Sequence, residues 1–255
     1  MDLSVEVIDH IFSFLKSSAR SLLACSNAHP ILAQIVERHL YHHVIITTTS
    51  HQSNGLGGYN LKTPHLIKLL FRKPKIVDSV RILEFSFQSD DGSCLQVEYI
   101  APILSKFHAL RCIKLTANID TNFLRMPISF RAALEDCLRL PALQEAHFVK
   151  LQLPISESAL PNITHLSFTG LGSLQPSGCT DSPFPQLESL SVSTIYPPLG
   201  WVKHLELQSL TCHYSNEKIV EKWLRICPNT LTTLDFCMGI YSICGLPLHF
   251  EVLKS

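Results

Sequence analysis

Residues 80–85 read VRILEF, with apolar side chains at the first, fourth and sixth positions. The same pattern returns as LRCIKL at Leu110, LQEAHF at Leu143, ITHLSF at Ile163, LESLSV at Leu187, LQSLTC at Leu207 and LTTLDF at Leu231. Successive starts lie 30, 33, 20, 24, 20 and 24 residues apart, a spacing that signals a repeating architecture. Alternate side chains of a strand point to opposite faces, so each motif reads as a short strand with its fourth and sixth residues turned inward.

The intervals fall near or somewhat above the ~20–29-residue period of leucine-rich repeats. That pattern also asks for Asn or Cys three residues after the last apolar position, a place filled here by Asn118 but by other residues in the remaining units. Several intervals hold helical stretches: LQVEYIAPILSKF, FRAALEDCLRL and EKIVEKWLRIC, the last with Ile219, Val220, Trp223, Leu224 and Cys227 on one face. Intervals 171–186 and 195–204 are rich in Pro, Gly and Ser and too broken for a good helix.

Upstream, residues 1–46 read as three short helices followed by a strand-like HVII. The first, VEVIDHIFSFL, has Ser4 as N-cap and Glu6 in its first turn. Its apolar arc covers roughly half the cylinder, where one core needs a stripe of about 100°. The second helix is SARSLLACS, and the third opens at Pro30, a residue suited to the first helical position. Residues 47–63, TTTSHQSNGLGGYNLKT, read as a mobile surface loop or linker.

Composition narrows the function. Of 255 residues, 46% are hydrophobic and 16% charged, which indicates a packed globular chain. Lys plus Arg and Asp plus Glu both number 21, so net charge makes no case for nucleic acid or an anionic membrane. Neither a signal peptide nor a membrane span is expected. The 9 cysteines form no C-x-x-C pair and fit reduced thiols inside a cell.

Catalytic motifs are missing: G-x-S-x-G, H-E-x-x-H and the P-loop do not occur. Gly55-Leu56-Gly57-Gly58 lacks the flanking strand and helix of a phosphate loop. His39, His42 and His43 have metal-compatible spacing, yet no neighbouring Cys or Asp completes a set, and they read as a solvated helix end. The chain is therefore expected to be no enzyme, with no catalytic, cofactor or metal residues. The outward positions of the strands offer a surface instead, small and polar in character. Its candidate contact residues are Glu84, Lys114, Glu145, His147, His165, Ser189, Ser191, His213 and Asp235.

The N-terminal stretch LSVEVIDHIFSFLKSSARSLLACS, continuing through RHLYHHV, resembles the F-box, and more narrowly the F-box-like N-termini of fungal (basidiomycete-type) proteins. Leu3, Glu6, Ile8, the Ile11-Phe12 pair, Leu15, the LLACS segment and Arg38-His39-Leu40-Tyr41 carry the resemblance. It departs at Ser4, where many F-boxes have proline, and at His29-Pro30-Ile31-Leu32, where many carry Cys-Arg-x-Trp. Degenerate leucine-rich repeats are the usual companion of such a segment.

The resemblance implies an α/β (α+β) protein with a three-helix F-box-like unit at 1–46 and a linker with a short helix at 47–75. An irregular leucine-rich-repeat solenoid would fill 76–255, its parallel sheet built from the seven motifs above. The implied function is substrate recognition for an SCF-type (cullin) ubiquitin ligase in the cytoplasm or nucleus. Leu3, Val5, Ile8, Ile11, Phe12, Leu15, Leu22, Leu23, Leu32, Ile35 and Leu40 would contact the small adaptor subunit of the ligase, and the repeats an unknown protein substrate. No cofactor, nucleic acid or membrane enters this reading. The alternative is an interaction or scaffold protein in which the helices only cap the solenoid.

Overall fold

A computed structural model describes residues 4–15, 18–47, 59–87, 100–122, 126–152, 160, 162–169, 184–193, 206–213, 230–237 and 248–251. Leu3, the Gly55–Gly58 stretch, the EKIVEKWLRIC segment and most of the Pro/Gly/Ser-rich intervals lie outside these residues.

Three helices open the chain: α1 (Val5–Ser13), α2 (Ala19–Ser26) and α3 (Pro30–Leu40). Their ends are capped by side chains that satisfy otherwise orphaned amides. The Ser4 Oγ accepts from the Val7 N–H, Ser18 Oγ from Ser21 N–H, and His29 Nδ1 from Ile31 N–H, with Pro30 in the first turn of α3. After β1 (His43–Thr47), the stretch read as a surface loop contains a strand, β2 (Tyr59–Lys62). Helix α4 (Thr63–Arg72) and a 3-10 helix (Pro74–Ser79) lead into β3 (Ile82–Phe87).

The remaining strands are β4 (Cys112–Asn122), β5 (Glu145–Gln152), β6 (His165–Thr169), β7 (Ser189–Ser193), β8 (Ser209–His213), β9 (Thr233–Cys237) and β10 (Leu248–Glu251). A helical turn (Ala101–Leu104) precedes β4, and helix α5 (Ile128–Leu138) joins β4 to β5.

All described strands form one ten-stranded sheet, in the order β10-β9-β8-β7-β6-β5-β4-β3-β1-β2. This exceeds the seven motif strands because β1 and β2 extend one edge and β10 the other. Every pairing from β2 to β9 is parallel, while β10 runs antiparallel to β9. The fold is thus a mixed helix and strand arrangement around a largely parallel sheet. No helix among the described residues is long and apolar enough to cross a membrane.

The motif sets the register. Leu83, Ile113, Ala146, Leu166, Leu190, Leu210 and Leu234 align across neighbouring strands and are buried. A second inner row contains Phe85, Leu115, Phe148, Phe168, Val192 and Cys212, also buried. Within it Phe148 and Phe168 stack at a centroid distance of 5.3 Å. The first motif residues, from Val80 to Leu231, are buried as well, packed beneath the approach to each strand.

One backbone device repeats at each step. The carbonyl of the residue two before a strand's first inward position accepts two consecutive N–H groups from the next unit. His42 receives Arg81 and Ile82, Arg81 receives Arg111 and Cys112, and Arg111 receives Gln144 and Glu145. Gln144, Thr164, Glu188 and Gln208 continue the series to Thr233. Such sharing satisfies the first amides of each strand where the loop would otherwise leave them bare.

Helix α5 buries Phe130, Ala133, Leu134, Cys137 and Leu138, spaced along one helical face. Phe130 meets Phe85 at 5.8 Å, and the Cys137 thiol donates to the Leu104 carbonyl at 3.4 Å. Burial pushes the Cys137 thiol up to about 12, so it remains a neutral donor. The N-terminal helices share this interior: Phe12, Leu22, Ile35, Val36 and Leu40 belong to the same continuous cluster as the sheet residues.

Candidate functional site

Two surfaces carry the residues singled out from the sequence. The first is the N-terminal helical unit. The wide arc of α1 resolves into two lines, each with helical i, i+4, i+7 spacing. Ile8, Phe12 and Leu15 face the interior, Phe12 being buried and the other two packed against the core. Val7, Ile11 and Phe14 face outward, with Phe14 72% exposed. Val5, Leu23 and Ile31 are exposed large apolar residues of the same three helices.

The structure therefore divides the set grouped as adaptor-contacting. Val5, Ile11 and Leu23 are open, whereas Ile8, Leu15 and Leu32 are half-buried. Phe12, Leu22, Ile35 and Leu40 are core residues, buried in the hydrophobic cluster that runs on into the sheet. They cannot touch a partner while that core is closed. Val7, Phe14 and Ile31, absent from that set, are exposed. Val7 and Phe14 were recognisable as the outer edge of the apolar arc.

Helix α1 is held by a polar contact as well as by Phe12. The His39 Nε2–H lies 2.9 Å from Asp9 Oδ1. Lys73 pairs with Glu37, tying α3 to the start of the 3-10 helix. His39 and His43 thus turn to different carboxylates, Asp9 and Glu84, and do not converge as a metal set.

The second surface is the outer face of the sheet. Glu84, Lys114, His147, Ser167, Ser191, Thr211 and Asp235 form one row across the strands. The adjacent row runs Ile82, Cys112, Glu145, His165, Ser189, Ser209 and Thr233. His213 lies on β8 one row further along, paired in register with Cys237. All nine candidate face residues lie on the outward alternation, with Glu145 and His165 exposed and the others half-buried. Charged and imidazole groups concentrate on β1 and β3–β6, while Ser and Thr dominate β7 and β8.

The charged end is electrostatically coupled. His43 Nε2 stands 3.4 Å from Glu84 Oε2 and has no shorter partner among the described residues. Hydrogen bonding from His43 is the main influence holding the Glu84 carboxyl below its ordinary 4.5, assisted by the charges of His43 and Lys114 against the cost of burial. His147 Nε2 lies 3.7 Å from Glu145 Oε2. Burial first, then the Lys114 charge, lowers the His147 pKa, with Glu145 opposing them. Burial, followed by Glu145, pushes the Cys112 thiol up to about 12.

Cys112, Glu145 and His147 bring one donor atom each to within 4.8 Å of one another. Sequence reading singled out Glu145 and His147 but did not join them to Cys112. The signal lay in the motif register, because Cys112 and Glu145 both follow their motif start by two residues and so become partners.

No family model matches the chain, and no curated protein matches it.

Proposed function

We propose that this protein is a substrate-recognition adaptor of an SCF-type ubiquitin ligase, working in the cytoplasm or nucleus without an active site of its own. The observation that carries the reading is the second apolar line on α1. Val7, Ile11 and Phe14 stand exposed on a helix whose other line already anchors it. Exposed apolar groups gathered on one element mark contact surfaces for another protein. In this reading the helices act as an F-box and engage the small adaptor subunit of the ligase. The sheet and its helices act as an irregular leucine-rich-repeat solenoid whose outer face receives a protein substrate. Holding that substrate beside the ligase raises its effective concentration there.

The test is binding of the purified chain to the adaptor subunit by calorimetry. Wild type should bind, and the Ile11→Asp, Phe14→Asp pair should abolish binding with its unfolding midpoint nearly unchanged. Failure of wild type to bind would sink the reading.

A second reading, an interaction or scaffold protein whose helices only cap the sheet, is favoured by the shared interior of Phe12, Leu22, Ile35, Val36 and Leu40. Under it, no ligase subunit binds, and the double substitution improves solubility alone.

A further inference from the structure

The trio on the outer face of β4 and β5 has a chemistry that adaptor function does not use. Glu145 and His147 are two apart on β5 and so project from the same face. Cys112 is the register partner of Glu145 across the β4–β5 ladder. A thiol, a carboxylate and an imidazole are the donor types that bind zinc, and sulfur with nitrogen selects against magnesium and calcium.

We propose that Cys112, Glu145 and His147 hold a divalent transition-metal ion, zinc by its donor set, on the outer face of the sheet. Their donor atoms lie within 4.8 Å of one another. Ligands of a tetrahedral zinc stand roughly 3.5 Å apart. The His147–Glu145 pair already stands at 3.7 Å, and closing the remaining gaps of at most about 1.3 Å asks for small rotations of the three side chains, of which Glu145 is half exposed. The backbone beneath is fixed by paired strands, which holds such a constellation better than a loop does.

Charge balance favours a dication. Binding converts the Cys112 thiol to a thiolate and releases its proton to solvent, so thiolate and carboxylate together offset the two positive charges. Lys114, the register partner of His147, opposes the ion, but Glu84 is its partner on the other side. Three protein ligands leave the fourth position open to water or a substrate atom, the arrangement of reactive rather than purely structural zinc sites. Next to it, His165 is the register partner of Glu145, with its Nδ1 held 2.8 Å from Thr164 Oγ1.

The experiment is titration of the purified full chain with cobalt(II), read by the near-ultraviolet thiolate-to-cobalt charge-transfer band, followed by displacement with zinc. Wild type should bind one equivalent, show the band and release a proton. Cys112→Ser should lose the band. His147→Gln, altering a half-buried residue on the sheet surface, should weaken affinity by at least the ~10-fold that loss of a supporting partner costs. Lys114→Met should tighten binding severalfold, and Cys25→Ser should change nothing. Absence of the band in wild type overturns the proposal. So does a band that survives Cys112→Ser or is insensitive to His147→Gln, since other cysteines would then hold the metal. If Cys112→Ser does not fold, the His147→Gln and Lys114→Met affinities decide. No ligase subunit is present in these measurements, so their outcome is independent of the adaptor reading.

Discussion

The imidazole of His39 on α3 lies 2.9 Å from the carboxylate of Asp9 on α1, and the same ring meets Phe12 edge-on at 6.3 Å. A polar and an aromatic contact thus converge on one largely buried side chain. Asp9→Ala strands the buried His39 donor, an omission that costs about 1–3 kcal/mol. Denaturant unfolding should register that loss. Hydrogen exchange should rise first in α1, since the contact fastens that helix to the rest.

The two lines of α1 respond differently to truncation. Phe12→Ala removes a buried ring from the common interior and should destabilise by roughly 3–5 kcal/mol. Phe14→Ala, one residue pair along the same helix, should stay within about 0.5 kcal/mol. Equal losses in paired denaturation curves would show that the exposed line is packed after all.

On β7, neighbouring residues test the register directly. Leu190 is buried in the inner row and Ser191 half-buried in the outer one. Leu190→Ala should cost about 2–5 kcal/mol, and Ser191→Ala should be near neutral. A slip of one residue would reverse that order.

The Glu84 pair with His43 gives an acid dependence. Its folded pKa lies below the ordinary 4.5, so its stabilising contribution is complete above 4.5. Protonation of the unfolded chain begins to erode it as pH falls through that value, and it is gone once pH drops below the folded pKa. Comparing wild type with Glu84→Gln by urea unfolding, the stability gap should close as pH falls through 4.5 and below. A gap that widens in acid would contradict the assignment.

The apolar spacing announced the inner face of the sheet because burial of every fourth and sixth motif residue is a demand on side chains. Val80, Leu83 and Phe85 show it, and the later units repeat it. Strand β2 was illegible for the opposite reason: Tyr59–Lys62 joins β1 through backbone pairing, and its alternation of Tyr59 and Leu61 with Asn60 and Lys62 is only four residues long at the end of a Thr/Ser/Gly/Asn-rich stretch. The β4–β5 ladder also shifts register between Thr116 and Thr121, and Lys150 opposite takes a positive φ of 54°. Glycine would have flagged that conformation, but a lysine there gives no warning. On α1, the arc width was plain, whereas assigning Phe12 inward and Phe14 outward required knowing where α3 lies.

The shared carbonyls that link each unit to the next have a consequence for how the molecule comes apart. From β3 to β10 every strand pairs with the strands next to it in the chain, so every bond of that series is local to one step. Stability in such an array is a sum over nearest neighbours rather than a property of the whole. Melting therefore has a direction. It starts where a strand has a neighbour on one side alone and runs inward, so that loss of β9 and β10 leaves the Phe85–Phe130 contact beneath β3 and α5 intact.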